Sequence, residues 1–257
     1  MDATVVDAPT DAARPMIPRY RAVVLVLASN DSPTYRNARS VWKKYMHVDA
    51  RIKVFFVYGT LATPLDDYDE SSDLVFQSIP ESYPVFIAKT LEAMQVIHAS
   101  THYDFFIRTN LTTFWDFERL HLHLDVLPTS NCYSGDGPLP HHDNHNDFYL
   151  SGTDTIVTPE MIESMIQNRH LVEFDRVEDG AMGKFFHGVL GAPLLPNRIC
   201  FFEDITSEDE RVVRERIETA MSRNTDHYRV KSIWANREVV DLFILKQLLL
   251  RIYNMAM

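Results

Sequence analysis

Cysteine, positive charge and long apolar runs are all scarce in this chain of 257 residues, and each scarcity removes a class of protein. Two cysteines, Cys132 and Cys200, are too few for a disulfide framework, so a reduced, intracellular protein is expected. With 25 Lys and Arg against 36 Asp and Glu, the net charge is −11. A general nucleic-acid binder carries a basic face or stripe, so no nucleic-acid partner is expected. No apolar run reaches the roughly 18–20 residues of a membrane span, and the longest, over residues 23–29, reads as a buried strand. The N-terminus lacks the basic-then-apolar pattern of a signal peptide, so a soluble, cytoplasmic chain is expected. Neither Gly-x-Gly-x-x-Gly nor Gly-Lys-Ser/Thr follows the first apolar run, which removes the usual dinucleotide and phosphate-loop readings. What is present is ordinary for a globular protein: 46% hydrophobic and 24% charged residues, which exclude disorder, collagen and coiled coil.

Residues 1–18 are rich in Ala, Asp and Pro without periodicity and read as a loose tail; residues 19–257 read as one domain. The continuous aliphatic and β-branched run over residues 22–27 suits a central strand buried on both faces. Ala28-Ser29-Asn30-Asp31-Ser32-Pro33 then supplies helix N-cap chemistry, and a helix over residues 35–45 follows. A second strand, residues 52–58, is closed by Gly59. Strand, helix and strand so close together make a right-handed βαβ unit, which needs a mostly parallel sheet. Further along, the pattern predicts a strand at 73–77 and a helix at 84–100, with Phe86, Ile87, Leu91, Met94 and Ile97 at helical spacing. A fourth strand spans 103–110, and the helix after it holds Phe117, Leu120, Leu122 and Leu124. Strand fragments follow at 148–151 and 154–158, then a helix at 159–170 with Pro in its first turn. A strand at 194–202 and helices at 208–223 and 237–253 complete the chain. The fold class expected is therefore α/β, with a mainly parallel twisted sheet flanked by helices in a single domain.

In such sheets ligands bind outside the carboxyl ends of the strands, which here means residues 28–31, 59–60, 108–112 and the end after Gln77. Arg36 and Arg39 are three apart near the positive end of a helix. They point either to an anion or acidic partner, or to a solvated basic face over a buried Trp42. Glu178 and Asp179 sit beside Gly180 and Gly183. A carboxylate at such a turn serves as a general base, or Asp179 caps the helix that follows. His121 and His123 are two apart and diverge on a helix, while His141-His142-x-x-His145 lacks a Cys or carboxylate frame for zinc. That loop reads better as a polar segment contacting substrate. Asp67-Tyr68-Asp69 has the Asp-x-Asp form that can hold a divalent cation, but among Asp66 and Glu70 it reads as a solvated acidic turn.

Taken in order, these pieces resemble glycosyltransferase family 31, the β1,3-galactosyltransferase and Fringe group. That family opens with a buried strand, Arg-x-x-Ile-Arg-x-Thr-Trp and a strand ending in Gly. Here the pieces are residues 23–29, Arg36-Asn37-Ala38-Arg39-Ser40-Val41-Trp42, and residues 54–59. Asp73-Leu74-Val75, Glu81-Ser82-Tyr83 and Ala88-Lys89-Thr90 resemble its next signature. Tyr149-Leu150-Ser151-Gly152 and Glu178-Asp179-Gly180-Ala181-Met182-Gly183 follow in the family's order, over residues 22–196 in all. The resemblance implies a GT-A-type fold and transfer of a sugar, with inversion, from a UDP-sugar to a glycan hydroxyl. It implies Asp179 as the base, with Glu178 as the alternative. Donor contacts would come from Ala28, Ser29, Asn30, Arg36, Arg39, Asp73 and Lys89, then from Arg108, Thr109 and Asn110, and from Ser151 and Gly152. Trp115, His141 and His142 would meet the acceptor.

Two departures bear on mechanism. Where the family has Lys-x-Asp-Asp-Asp for manganese and the donor diphosphate, this chain has Arg108-Thr109-Asn110-Leu111-Thr112. A hard divalent cation needs charged oxygen ligands, so no cofactor is certain. Either Mn or Mg binds through the donor diphosphate, with Asn110 and His227 as weak ligand candidates, or cations replace it. His227, Arg229 and Lys231 alternate on an extended segment and would line one diphosphate; otherwise they form an ordinary amphipathic strand. The missing acidic residues also support a second expectation, a catalytically inactive UDP-sugar- or glycan-binding domain. The second departure is the absent membrane anchor. Residues 107–115 resemble soluble relatives encoded by large DNA viruses of algae, which implies a xylosyltransferase working in the host cytoplasm.

Overall fold

The computed structural model describes residues 17–81, 86–140, 148–197, 200–202, 205, 209–233 and 236–257. Most of the tail expected over residues 1–18 therefore lies outside the described residues, as do His141 and His142. The elements run β1 (Arg19–Leu27), α1 (Pro33–Tyr45), β2 (Ile52–Tyr58), β3 (Asp73–Val75), α2 (Phe86–Ser100), β4 (His102–Asn110), β5 (Thr113–Trp115) and α3 (Phe117–Leu124). They continue with β6 (Tyr133–Asp136), β7 (Leu139–Pro140), β8 (Phe148–Tyr149), β9 (Asp154–Val157), α4 (Pro159–Gln167) and α5 (Glu178–Gly183). The last are β10 (Leu194–Asn197), β11 (Cys200–Phe201), α6 (Glu210–Met221), β12 (His227–Arg229) and α7 (Arg237–Tyr253).

Seven strands form the central sheet in the order β10-β6-β9-β4-β1-β2-β3. β1 pairs in parallel with both β2 and β4, β2 with β3, and β6 with β10; β9 alone among the seven is reversed, antiparallel to β4 and β6. The mainly parallel α/β class expected from the sequence is the one found. β1 lies between two strands and under helices on both faces, and Ala22, Val23, Val24, Leu25 and Val26 have no accessible surface. That is the physical reason for its unbroken aliphatic run. Val24 and Val26 enter a core shared with α1, α3, α6 and α7, while Val23 and Leu25 enter one shared with α2, α4 and α5. α1 starts as its sequence dictates: Ser32 accepts a bond from the Tyr35 N–H and Pro33 occupies the first turn. On the first face, Tyr45 stacks between Trp42 and Tyr253 at ring separations of 4.9 and 5.1 Å. The Tyr253 hydroxyl accepts from Phe117 N at 2.9 Å and donates to Trp115 O at 2.8 Å.

The second half departs from expectation in its short strands. The strand expected over 194–202 is two: β10 sits at the edge of the main sheet, where Pro196 costs no ladder bond, and β11 belongs to another sheet. β11, β12 and β5 make a three-stranded sheet, and β7 pairs with β8. The third strand stops at Val75. Among the described residues no helix is long and apolar enough to cross a membrane.

Candidate functional site

After β1 the chain builds outward through α1 to β2 and β3, then returns through α2 to place β4 on the other side of β1. This reversal of order opens a crevice at the carboxyl ends of β1 and β4, the place where open α/β sheets hold ligands. A cleft of about 280 Å³ lies there. The end of β1 contributes Leu27 and the turn after it Ala28, Ser29 and Asp31; the first turn of α1 contributes Tyr35; Glu81 precedes α2, which contributes Phe86 and Lys89. Arg108, Asn110, Leu111 and Thr112 come from the end of β4, and Arg229 from β12. Three cations, Lys89, Arg108 and Arg229, line this cleft of a protein with net charge −11, alongside Asp31 and Glu81.

Each cation is held differently. Lys89 is buried, which pushes its pKa down; its Nζ donates to Ala28 O at 3.1 Å and pairs with Glu81. Glu81 also accepts from Gly59 N, and a Cβ at Gly59 would stand 2.6 Å from Ile79 O, so glycine is needed there. Arg108 is buried too. Its Nε donates to Glu178 Oε1 at 2.8 Å and its Nη2 pairs with Oε2, while Thr90 Oγ1 donates to Oε1 at 2.9 Å. Nη1 of Arg108 has no hydrogen-bond partner among the described residues. The guanidinium lies against Gly152, where a Cβ would run into it. Arg229 is half-buried and donates to Thr112 Oγ1 at the cleft wall.

The two carboxylates of α5 separate into different environments. Glu178 is 3% exposed, and burial pushes its carboxyl up against the downward pull of Arg108. Asp179 is half-buried; its Oδ2 accepts from Gly152 N at 3.3 Å and its Oδ1 from Gly180 N at 3.0 Å. Val177 is the N-cap residue of α5, so Asp179 sits within the first turn and is not the cap. The Gly152 carbonyl accepts from Asn110 Nδ2 at 3.2 Å, which links the Asp179 carboxylate to the cleft through one residue.

Of the donor contacts expected from the sequence, Ala28, Ser29, Lys89, Arg108, Asn110 and Arg229 meet in the cleft, and Gly152 backs it. Others do not. Arg39 and Asp73 are buried partners of one another at 2.8 Å by the β3 edge, where Asp67 and Lys43 join them. The acidic turn thus neutralises the α1 basic face. Arg36 is exposed and donates to Asn30 O at 3.0 Å, so both stand outside the lining. Thr109 is buried, donating to Thr153 O at 2.6 Å, and Ser151 bonds to Thr153. Trp115 has no accessible surface, and its Nε1 donates to Thr109 Oγ1 at 3.1 Å, so it cannot stack on an acceptor.

The expected row of His227, Arg229 and Lys231 is also broken. β12 ends at Arg229, so strand alternation does not carry on to Lys231, which is exposed and off the lining. His227 is fully buried, stacked on Trp115, with Nδ1 2.6 Å from Asp226 Oδ1 and Nε2 3.3 Å from Asp154 Oδ2. His121 and His123 each bond to a different aspartate, Asp49 and Asp226, both at 2.7 Å. Tyr35, Asp31 and Thr112 were not singled out by the sequence; the only signal for them was their place in strand-end turns.

The donor set does not fit a resident divalent cation. Among the described residues the acidic ones lining the cleft are Asp31 and Glu81, and Glu81 is taken by Lys89. Asn110 donates its Nδ2 to Gly152 and offers only a neutral oxygen, and His227 is enclosed by aspartates. Among the described residues no group of three His, Cys, Asp or Glu is arranged to hold a metal.

The sequence matches no protein-family model and no curated protein. One solved structure that superposes on it is described as the crystal structure of a glycosyltransferase involved in the glycosylation of the major capsid of PBCV-1. The alignment covers 88% of this chain and 98% of that one, at 8% identity and a TM-score of 0.47. A likeness at that level carries no functional weight.

Proposed function

We propose that this chain is a glycosyltransferase of GT-A type that moves a sugar from a UDP-sugar to a glycan hydroxyl with inversion. The observation that carries the proposal is the pairing of a cation-lined cleft at the β1/β4 switch point with a half-exposed carboxylate, Asp179, whose two oxygens are both held by backbone N–H groups. The nucleotide lies over the ends of β1 and β4, against Tyr35 and the 27–29 backbone. The diphosphate faces Arg229, with the Lys89 charge behind it. The acceptor oxygen attacks the anomeric carbon as the bond to the diphosphate breaks on the opposite side. Asp179 takes the proton from the acceptor hydroxyl, and UDP leaves carrying the negative charge that the cations stabilise. Glu178, enclosed and bound to Arg108, is not placed to be that base. No step is assigned to a metal. Xylose is the donor sugar that the sequence resemblance favours, and the resemblance likewise favours action in the cytoplasm.

The second reading, a UDP-sugar- or glycan-binding domain without turnover, is favoured by the missing metal-ligating carboxylates. Incubating the protein with a panel of UDP-sugars, with and without glycan acceptors, and measuring UDP release separates the two. Release above the uncatalysed rate supports transfer; UDP binding with no release from any donor supports the binding domain.

A further inference from the structure

Arg108 lines a cleft assigned to an anion, yet two of its three guanidinium nitrogens are committed elsewhere. Nε and Nη2 form a two-pronged bond to Glu178, the residue just before Asp179. The side chain of Glu178 is anchored a second time by Thr90 on α2. The guanidinium lies against Gly152, whose N–H donates to Asp179 and whose carbonyl is held by Asn110. One arginine therefore touches both supports of the Asp179 carboxylate: the helix turn that carries it and the peptide that orients it. A planar fork suits this task, because it fixes direction as well as distance.

We infer that Arg108 and Glu178 form a positioning strut that sets the Asp179 carboxylate against the acceptor, and that Arg108 is not a phosphate ligand. The inference rests on reading Asp179 as the base. It also explains why glycine stands at 152, since any side chain there would push the guanidinium off the strut.

The test uses the full chain and five variants: Glu178→Gln, Arg108→Gln, Arg108→Lys, Gly152→Ala and Asp179→Asn. UDP affinity is measured by calorimetry, and kcat and donor KM by UDP release. Displacing a reacting group by about 1 Å costs about 10²-fold, so Glu178→Gln and Arg108→Gln should lower kcat by about that factor with UDP affinity within about twofold of wild type. Arg108→Lys, which keeps the charge but loses the fork, should recover part of the loss. Gly152→Ala keeps both charges and should show the same kcat-only defect, and it decides the matter if the ion-pair variants do not fold. Arg108 variants that weaken UDP tenfold while kcat stays at the wild-type value would overturn the inference and make Arg108 a phosphate contact. Wild-type turnover in Glu178→Gln and Gly152→Ala, with Asp179→Asn inactive, would sink the strut and leave the base standing. Wild-type turnover in Asp179→Asn would remove the base assignment itself.

Discussion

Replacing His227 by Gln should destabilise the protein severely, and by an amount that depends on pH. The imidazole has no accessible surface and lies between two buried carboxylates, 2.6 Å from Asp226 and 3.3 Å from Asp154, with Asp136 close by on β6. Burial alone would weaken its hold on the proton. The carboxylates outweigh burial, so its pKa is raised above the ordinary histidine value. Glutamine fills similar space but leaves Asp154 without a cation, and unpairing a buried ion costs about 3–5 kcal/mol. In a domain of this size each kcal/mol moves Tm by about 2–4 °C, so a fall of roughly 6–20 °C is expected near pH 6. A group whose folded pKa is raised stabilises fully below its unfolded value, about 6.5 for histidine, and that contribution is lost as pH rises through the folded value. The gap between wild type and His227→Gln should therefore narrow steadily on going from about pH 6 to about pH 10. Thermal melting of both proteins across that range is the assay. A gap that does not change with pH, or a glutamine variant as stable as wild type at pH 6, would refute the reasoning.

Arg229→Ala should weaken UDP binding by about ten- to a hundredfold, the value of one charge-assisted contact of about 1.5–3 kcal/mol, as read by calorimetry. Adding chelator to wild type should reduce UDP affinity only in part, because the cleft offers cations where a metal site would offer carboxylates; abolition of binding by EDTA with Arg229→Ala binding normally would contradict this. Tyr253→Phe removes the hydroxyl that bridges Trp115 O and Phe117 N, so it should cost about 1–3 kcal/mol in denaturant unfolding without altering UDP affinity.

The parallel half of the fold was legible because its strands are buried on both faces. A run such as residues 22–27 has no other comfortable place, and α7 was bounded correctly by its apolar stripe. The short strands β5, β6, β7 and β12 were not legible. Each has four residues or fewer, and partners distant in sequence, such as His227 opposite Trp115, decide their conformation. The same difference governs the site. Ala28 and Arg108 were found because strand ends place them from local pattern, whereas Lys89 was reached only through the family resemblance. His227 and Arg39 look like anion ligands in sequence, since charge is visible there and its partners are not. Asp154, Asp67 and Asp73 satisfy them only in three dimensions, joined at His227 by its sequence neighbour Asp226. Arg108 shows the converse: its position was legible, but its commitment to Glu178, 70 residues away, was not.

The most direct test of the central claim is Asp179→Asn, assayed for UDP release from the donor that wild type uses and for UDP affinity in parallel. The amide keeps the size of the side chain but cannot take the acceptor proton. A general base contributes about 10²–10⁴-fold, so kcat should fall by that factor while UDP binds as tightly as to wild type. Wild-type turnover in Asp179→Asn would contradict the account.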